Sequence, residues 1–179
     1  DKYTDFNNNG KLDASDRRVL GKANPDFTLG WNNTLHFKQW ELNAFFNAAF
    51  GAQRLNVARF LMNAMPGASA FVTDADYVKN MGVTMPRLDA VGNKNYGNSS
   101  KWIENADYLR LENISLAYNL TKEQTKFADI RLSFGVQNLF TLTGYKGADP
   151  AGFSFGRADY ENGVDMGGYP APRTFTLGA

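Results

Sequence analysis

The residues with the clearest capacity for chemistry lie near the start of the chain, in the stretch DFNNNGKLDASD (residues 5–16). In a twelve-residue calcium loop, oxygen ligands come from positions 1, 3, 5, 7, 9 and 12, and a glycine at position 6 permits a sharp turn. Gly10 occupies that position, and the ligand positions hold Asp5, Asn7, Asn9, Lys11 (through its backbone carbonyl), Asp13 and Asp16. Oxygen ligands without imidazole or thiolate suit Ca²⁺. The stretch therefore predicts a structural calcium site.

The stretch departs from the calcium pattern at one ligand position, and it also permits a metal-free interpretation. Position 12 holds Asp16 where a bidentate glutamate is usual, and the shorter side chain should weaken or reshape the site. Alternatively, the Asp and Asn side chains accept hydrogen bonds from nearby backbone N–H groups, and Asp13 caps a short turn over 14–20. The residues alone leave both interpretations open.

The element that follows is a β-hairpin with a strong two-residue alternation. Residues 27–37 and 40–50 flank the dipeptide Lys38-Gln39. If that dipeptide is the turn, Phe37 lies opposite Trp40 and Phe27 opposite Phe50, so the apolar faces of the two strands coincide. The opposite face is rich in Asn and Thr. The shared apolar face consists of Phe27, Leu29, Trp31, Asn33, Leu35 and Phe37, then Trp40, Leu42, Ala44, Phe46, Ala48 and Phe50.

A hairpin of this kind is typical of a transmembrane β-barrel. Barrel strands cross a bilayer with roughly 9–11 residues, an apolar outward face and aromatic residues near both ends of the apolar band. Phe37 and Trp40 fit one aromatic girdle, and Phe27 and Phe50 fit the other. A soluble β-sandwich also alternates, but its inner face is seldom so wide and aromatic beside a face so rich in Asn and Thr.

The composition is compatible with a barrel and excludes several other classes. The chain of 179 residues has 14% aromatic residues, a net charge of +1 and no cysteine. The small charge argues against a nucleic-acid-binding face, and the lack of cysteine excludes disulfides and thiol nucleophiles. No run approaches the 18 or more apolar residues of a membrane helix, so a crossing requires strands. The single histidine, His36, lies opposite Glu41 in the predicted hairpin and lacks the partners of a triad, so no enzymatic activity is expected.

Three further segments repeat the alternation and complete an all-β prediction of five antiparallel strands. The strands cover about 27–37, 40–50, 108–120, 130–140 and 173–179, joined by turns at 38–39 and 121–129 and by long loops at 1–25, 51–107 and 141–171. In outer-membrane barrels short turns face the periplasm and long loops face the exterior. Five strands cannot close, because barrels need at least eight.

The long loops carry their own signals. Residues 53–65 have apolar residues at helical spacing and predict a helix packed within the loop. Seven aromatic side chains in the loops could stack on sugars, pack against a partner protein or simply fill the loops: Phe71, Tyr77, Tyr96, Trp102, Phe153, Phe155 and Tyr160.

Five short motifs occur in order along nearly the whole chain. They are DFNNNG (residues 5–10), YLRL (108–111), QNLF (137–140), DP (149–150) and YPAPRTF (169–175). Together they resemble the C-terminal portion of SusC/RagA-type TonB-linked outer-membrane transporters. Any one motif is weak by itself, whereas five at family-like separations are specific. One departure is that family members usually finish the last strand with an aromatic residue, whereas this chain stops at Ala179.

The resemblance implies a complete barrel of about 22 strands in the outer membrane, filled by an N-terminal plug. Such a transporter takes up oligosaccharides or peptides with a SusD-like surface lipoprotein, and it couples to the TonB complex through the plug and a TonB box. These parts are absent from the sequence, so we expect an internal, C-terminal piece of the barrel in contact with outer-membrane lipid. The alternative is a soluble calcium-dependent docking or adhesion module, which would need its aromatic face covered by other parts of the same chain.

Overall fold

The hairpin forms in the register that the alternation predicts. In the computed structural model, which describes residues 4–64, 79, 100–152 and 163–179, strand β1 (Phe27–Phe37) pairs antiparallel with β2 (Trp40–Phe50). Phe37 pairs with Trp40 and Phe27 pairs with Phe50, so the two apolar faces coincide. Lys38 enters the two-residue turn with a φ of 53°, the left-handed conformation that tight hairpin turns favour.

The hairpin is one end of a five-stranded antiparallel sheet. The remaining strands are β3 (Gln53–Asn56), β4 (Ile103–Asn105), β5 (Tyr108–Leu120), β6 (Ile130–Thr143), β7 (Val164–Asp165) and β8 (Thr174–Gly178), and the described α-helices are α1 (Val57–Ala64) and α2 (Lys122–Thr125). The large sheet has the strand order β1-β2-β5-β6-β8, and β6 extends three residues beyond the predicted end at residue 140. A separate three-stranded sheet has the order β4-β3-β7.

One face of the large sheet is apolar, and the described residues do not cover it. Exposed side chains on this face range from Phe140, at 39% exposure, to Leu177, at 83%. Aromatic rings stack across the strands, with Trp31 and Phe46 at a centroid distance of 5.4 Å. A water-soluble protein rarely leaves so wide an apolar surface open. An apolar face of this width is the one that a transmembrane barrel turns toward lipid.

A β-bulge in β5 keeps the apolar face continuous. The register of β5 shifts against both of its neighbours around Glu112, and Asn138 on β6 takes a positive φ of 52°. A bulge changes which alternate residues face each side of a sheet. The odd-numbered Leu109 and Leu111 before the bulge therefore share the apolar face with the even-numbered Ile114 after it.

The long connections fold into a small second unit, the loop layer, which we define as β3, β4, β7, α1 and residues 144–152. β3 pairs antiparallel with β4 and parallel with β7. Trp102 is 1% exposed and packs edge-on against Phe60 at 5.5 Å between ring centroids. Ala52, Ala106 and Tyr145 form a buried cluster. The described part of the long loops thus has regular structure and a core of its own.

The sequence predicts a helix in the long loops and places several aromatic side chains there as candidates for binding. The structure corrects the start of the helix and buries one of these aromatic residues, and the other aromatic residues lie outside the described residues. The helix predicted over 53–65 begins at Val57 and is described as far as Ala64, because Gln53–Asn56 is a strand that pairs with segments distant in sequence. Trp102 is buried and so has no exposed face for stacking on a ligand. The other six loop aromatics, Phe71, Tyr77, Tyr96, Phe153, Phe155 and Tyr160, lie outside the described residues.

Both described α-helices are short. α2 occupies the 121–129 turn and ends at Lys126, which has a left-handed φ of 69°. Among the described residues, no helix has the length and apolar character needed to cross a membrane.

Candidate functional site

The predicted calcium loop is held in shape by its own side-chain oxygens. The Asp5 carboxylate accepts hydrogen bonds from the N–H groups of Asn9 (3.3 Å) and Gly10 (2.8 Å). The Asn7 side-chain oxygen accepts from Asn9 N–H at 2.9 Å, and the Asn9 side-chain oxygen accepts from Lys11 N–H at 2.8 Å. The oxygens of the first three ligand positions therefore face inward, toward the turn at Gly10.

The last two ligand positions close the loop. Asp16 accepts from Phe6 N–H at 2.9 Å and from Asp13 N–H at 3.0 Å, which ties the end of the loop to its start. Asp13 caps the 3₁₀ turn Ala14–Asp16, which is shorter than the predicted 14–20 turn. The hydroxyl and N–H of Ser15 both donate to Asp13 and hold the pKa of its carboxyl below the usual value.

This geometry contains features of both interpretations of the loop. Every predicted ligand is an oxygen, which fits Ca²⁺, and Asp16 brings the two ends of the loop together. The carboxylates also accept backbone N–H groups, as in an Asx-rich turn. In the parts of the chain that the structure describes, no three His, Cys, Asp or Glu side chains assemble into a metal-binding group. The calcium site therefore stays a prediction.

A second cluster, the strand-top clasp, joins the ends of β5 and β6 to the segment before β8. We define it as Arg110, Asn138, Asp149, Ala171 and Pro172. The Arg110 guanidinium forms a buried ion pair with Asp149, and Ala171 N–H donates to the same carboxylate at 3.3 Å. The Asn138 side chain donates to the Pro172 carbonyl at 3.0 Å. The clasp thus ties strands β5 and β6 to the connection between β6 and β8.

The clasp unites four of the five motifs that carry the family resemblance. Arg110 belongs to YLRL, Asn138 to QNLF, Asp149 to DP, and Ala171 and Pro172 to YPAPRTF. Burial alone would raise the pKa of Asp149, but hydrogen bonds from Ala151 N–H, Arg110 and Ala171 N–H together keep this pKa below its usual value. The motifs are therefore a structural unit whose buried aspartate is charged at neutral pH.

The loop layer contains its own buried polar network. The Arg59 guanidinium lies 2.8 Å from Glu104, and the two side chains are only 6% and 12% exposed. Glu104 also accepts from Lys146 N–H at 3.0 Å. The Tyr145 hydroxyl donates to Asp165, and burial followed by this hydrogen bond raises the pKa of Tyr145 well above its usual value. These contacts fix α1, β4 and β7 relative to one another.

The polar face of the large sheet has an open recess of about 490 Å³. At its centre, Asn32, Phe45, Asn113 and Gln137 are direct neighbours across β1, β2, β5 and β6. We call the three amides and the ring between them the carboxamide row. The recess is also lined by Asn43, Glu112 and Asn138.

The charged residues nearest the 38–39 turn are paired on the same polar face. His36 lies opposite Glu41, as the alternation predicts. The Glu41 carboxylate on β2 accepts two hydrogen bonds from Arg131 on β6, at 2.9 and 3.0 Å, although β5 lies between the two strands. Sequence reasoning missed this pair because its members are separated by an intervening strand.

Curated proteins and solved structures that are similar to this chain include TonB-dependent receptors and the RagAB peptide importer. No family model matches the chain. It is 35% identical over 98% of its length to TonB-dependent receptor P3 of Formosa agariphila, and 29% identical over 98% to TonB-dependent receptor SusC of Bacteroides thetaiotaomicron. It spans 18% and 17% of these relatives. Its fold matches 18% of a chain in the open-open structure of the RagAB peptide importer, with 24% identity over 93% of this chain and a TM-score of 0.67.

Proposed function

The chain belongs to the SusC/RagA type of TonB-dependent receptors, and we propose that it supplies part of the wall and surface loops of an outer-membrane nutrient importer. The observation that carries this proposal is the exposed apolar face shared by all five strands of the large sheet. Such a face needs lipid around it, whereas the soluble docking alternative needs other parts of the chain to cover it. The described residues provide no such cover.

The proposed orientation follows the connection lengths. The 38–39 and 121–129 turns would face the periplasm, and the calcium loop, the clasp and the loop layer would face the exterior. Phe37 and Trp40 would then form the periplasmic girdle, and Phe27 and Phe50 the outer girdle. Import energy would come from the TonB complex through a plug and a TonB box elsewhere in the complete receptor.

We propose oligosaccharides or peptides as cargo, without enzymatic conversion. The relative SusC and the RagAB peptide importer support an import role. The only histidine of the chain is His36, and the adjacent Glu41 is bound by Arg131. This segment would therefore guide cargo and form no covalent intermediate with it.

The import proposal is tested in the native organism by deleting the complete receptor gene and restoring it. Import of labelled oligosaccharides and peptides should disappear on deletion, return on complementation, and stop when an uncoupler removes the proton-motive force. As a matched control, simple sugars that pass through general porins should enter equally in all strains. Unchanged import of every oligomer in the deletion strain would contradict the proposal.

We further propose that the loop layer supports contact with a SusD-like lipoprotein over the barrel mouth. The layer is rigid enough for this role, because its β3 strand pairs on both sides and its Arg59–Glu104 pair is buried. Removing the whole of 57–100 would delete Arg59, and removing 150–168 would delete Asp165, so the sharper experiment shortens only 65–99 or 153–162.

The trimmed receptors should assemble but copurify with less lipoprotein and import less oligomer. The control is a short insertion at Lys38-Gln39, at the opposite end of the strands, which should leave copurification unchanged. If both trimmed receptors kept their partner and their import rate, the loops would be passive covers.

Finally, we propose that the 5–16 loop binds Ca²⁺ structurally. The support is the oxygen-only set of predicted ligands, from Asp5 to Asp16, and the closure of the loop by Asp16. The ion would stiffen the connection that leads into β1 and would take no part in transport chemistry.

A further inference from the structure

We propose that the carboxamide row is a wall subsite that holds an uncharged, hydroxyl-bearing oligomer as it passes through the receptor. The row faces the side opposite the lipid-facing surface, which in a barrel is the interior. This inference rests on the proposed import function. It adds to that function a position on the inner wall and a charge class for the cargo.

The row offers hydrogen-bonding groups that the protein itself leaves unused. Among the described residues, the side chains of Asn32, Asn113 and Gln137 make no hydrogen bond with the protein. By contrast, nearby Asn43 and Asn138 donate to other oxygens at 2.9 and 3.0 Å. Each carboxamide carries both a donor group and an acceptor oxygen. A ligand group that is donor and acceptor at once, such as a sugar hydroxyl, therefore matches the row.

Phe45 gives the row an aromatic platform. A Cβ atom placed on Gly30 would lie 3.6 Å from the Phe45 ring, so the ring rests directly over this glycine. The outer atoms of the ring therefore lean over Gly30, while the Phe45 backbone pairs with Asn32 on one side and Asn113 on the other. An aromatic face flanked by a few polar groups can bind the apolar face of a sugar ring while the amides bind its hydroxyls.

The charges around the row disfavour anionic cargo. Glu112 is the single charged residue that lines the recess. Two arginines of the polar face are engaged elsewhere, since Arg110 pairs with Asp149 and Arg131 pairs with Glu41. Among the residues that the structure describes, a sulfate or carboxylate in the recess would therefore meet the negative charge of Glu112 without a cation lining the recess, and like charges repel. The row fits a neutral oligosaccharide better than a sulfated or uronic one.

The test uses the complete receptor in its native strain, with import of matched oligosaccharide pairs as the readout. The probes are laminarihexaose, maltohexaose and xylohexaose, each with its sulfated derivative. The wild-type receptor should import at least one neutral probe and discriminate against its sulfated form. Import of none of the probes would remove the import proposal and the row together, whereas equal import of a sulfated form would overturn the row alone.

Variants then locate the subsite. The double substitution Asn113→Ala with Gln137→Ala removes two hydrogen-bonding groups and should weaken binding of the neutral probe about tenfold, as expected when hydrogen bonds of roughly 0.5–1.5 kcal/mol each are lost. Ser115→Ala, on the same face of β5 but outside the row, should bind the probe like wild type. Heat-modifiable gel mobility would verify that both variants assemble.

Two outcomes for the variants would overturn the subsite even if import persists. One is unchanged probe affinity in the double variant. The other is a lower melting temperature of the cargo-free double variant together with weaker probe binding, which would mean that the row packs against the plug. The predicted result is the reverse, with weaker probe binding and an unchanged melting temperature without cargo.

Discussion

The large sheet exposes apolar side chains, whereas the loop layer buries polar ones. In the sheet, large apolar side chains such as Trp31 and Leu35 are exposed. In the loop layer, Asn56, Arg59 and Asp165 are polar or charged and buried. The sheet is arranged for lipid on one side and a wet interior on the other, whereas the loop layer has water outside and polar groups that must be satisfied inside.

The difference shows where each region obtains its specificity. The sheet is stabilised by side-chain alternation and by cross-strand pairs. Both repeat along every strand, so a strand can lengthen without a change in the pattern. The loop layer and the clasp rely on a few buried ion pairs, and a buried charge without its partner is costly. A substitution in the loop layer should therefore destabilise mainly the residues around it. In the sheet, the effect of a substitution should depend on which face of the strand carries it.

The largest effect is expected from breaking the buried pair of the loop layer. Glu104→Gln removes the charge of a buried ion-pair partner of Arg59 and should destabilise the layer by up to about 3–5 kcal/mol. Hydrogen exchange of β3 and β4 in the complete receptor measures this loss. The matched control is Glu41→Gln, because the Arg131 side chain is 55% exposed and surface pairs contribute only about 0–1 kcal/mol. Equal losses for the two variants would erase the distinction between the regions.

The two faces of the sheet should differ almost as strongly. Trp31→Arg places a charge toward lipid and should cost about 2–4 kcal/mol if it lies near the bilayer midplane. The neighbouring Asn32→Arg places the same charge in the interior and should be tolerated. Refolding of the two complete receptors into lipid vesicles, followed by denaturant titration, compares them. The face assignment would be wrong if both substitutions were equally harmful.

A smaller effect is expected at the calcium loop. At a Ca²⁺ concentration 100-fold above the dissociation constant, binding should stabilise the folded loop by about 2.7 kcal/mol. Asp5→Ala should remove this increment and loosen residues 4–20, while β1 and β2 stay protected. Lys11→Ala is the matched control, because position 7 contributes only its backbone carbonyl. Calorimetry without a Ca²⁺ signal in the wild-type receptor would leave only the Asx-turn interpretation.

The smallest effect is expected from protonating Asp149 of the clasp in acid, with its side chain otherwise unchanged. The pKa of Asp149 is lower in the folded protein than the usual 3.8, so its charge contributes stability above that value and loses it as the pH falls toward the folded pKa. Pepsin cleavage of the 144–173 connection should therefore accelerate below about pH 3.8. Asp149→Asn should make cleavage fast already at pH 5 and flatten its pH dependence. An unchanged profile in this variant would remove Asp149 from the clasp.

The amino-acid sequence alone determined the hairpin, including its faces and register. This was possible because side-chain alternation has a period of two, and a two-residue turn leaves only one register that aligns both apolar faces. The same rule located β5, β6 and β8 to within a few residues. The five motifs indicated the family by resemblance, and the relatives confirm the family.

Only the tertiary structure decided which distant residues meet. Arg110 and Asp149 both stood in motifs, yet nothing local indicated that they pair, because 39 residues separate them. The β3 strand was read as helix, since its four residues are too few to show alternation and its partners β4 and β7 come from remote segments. The bulge at Glu112 likewise depends on two neighbouring strands at once. Periodicity is a local property of the chain, whereas ion pairs, bulges and short buried strands depend on what the fold brings together.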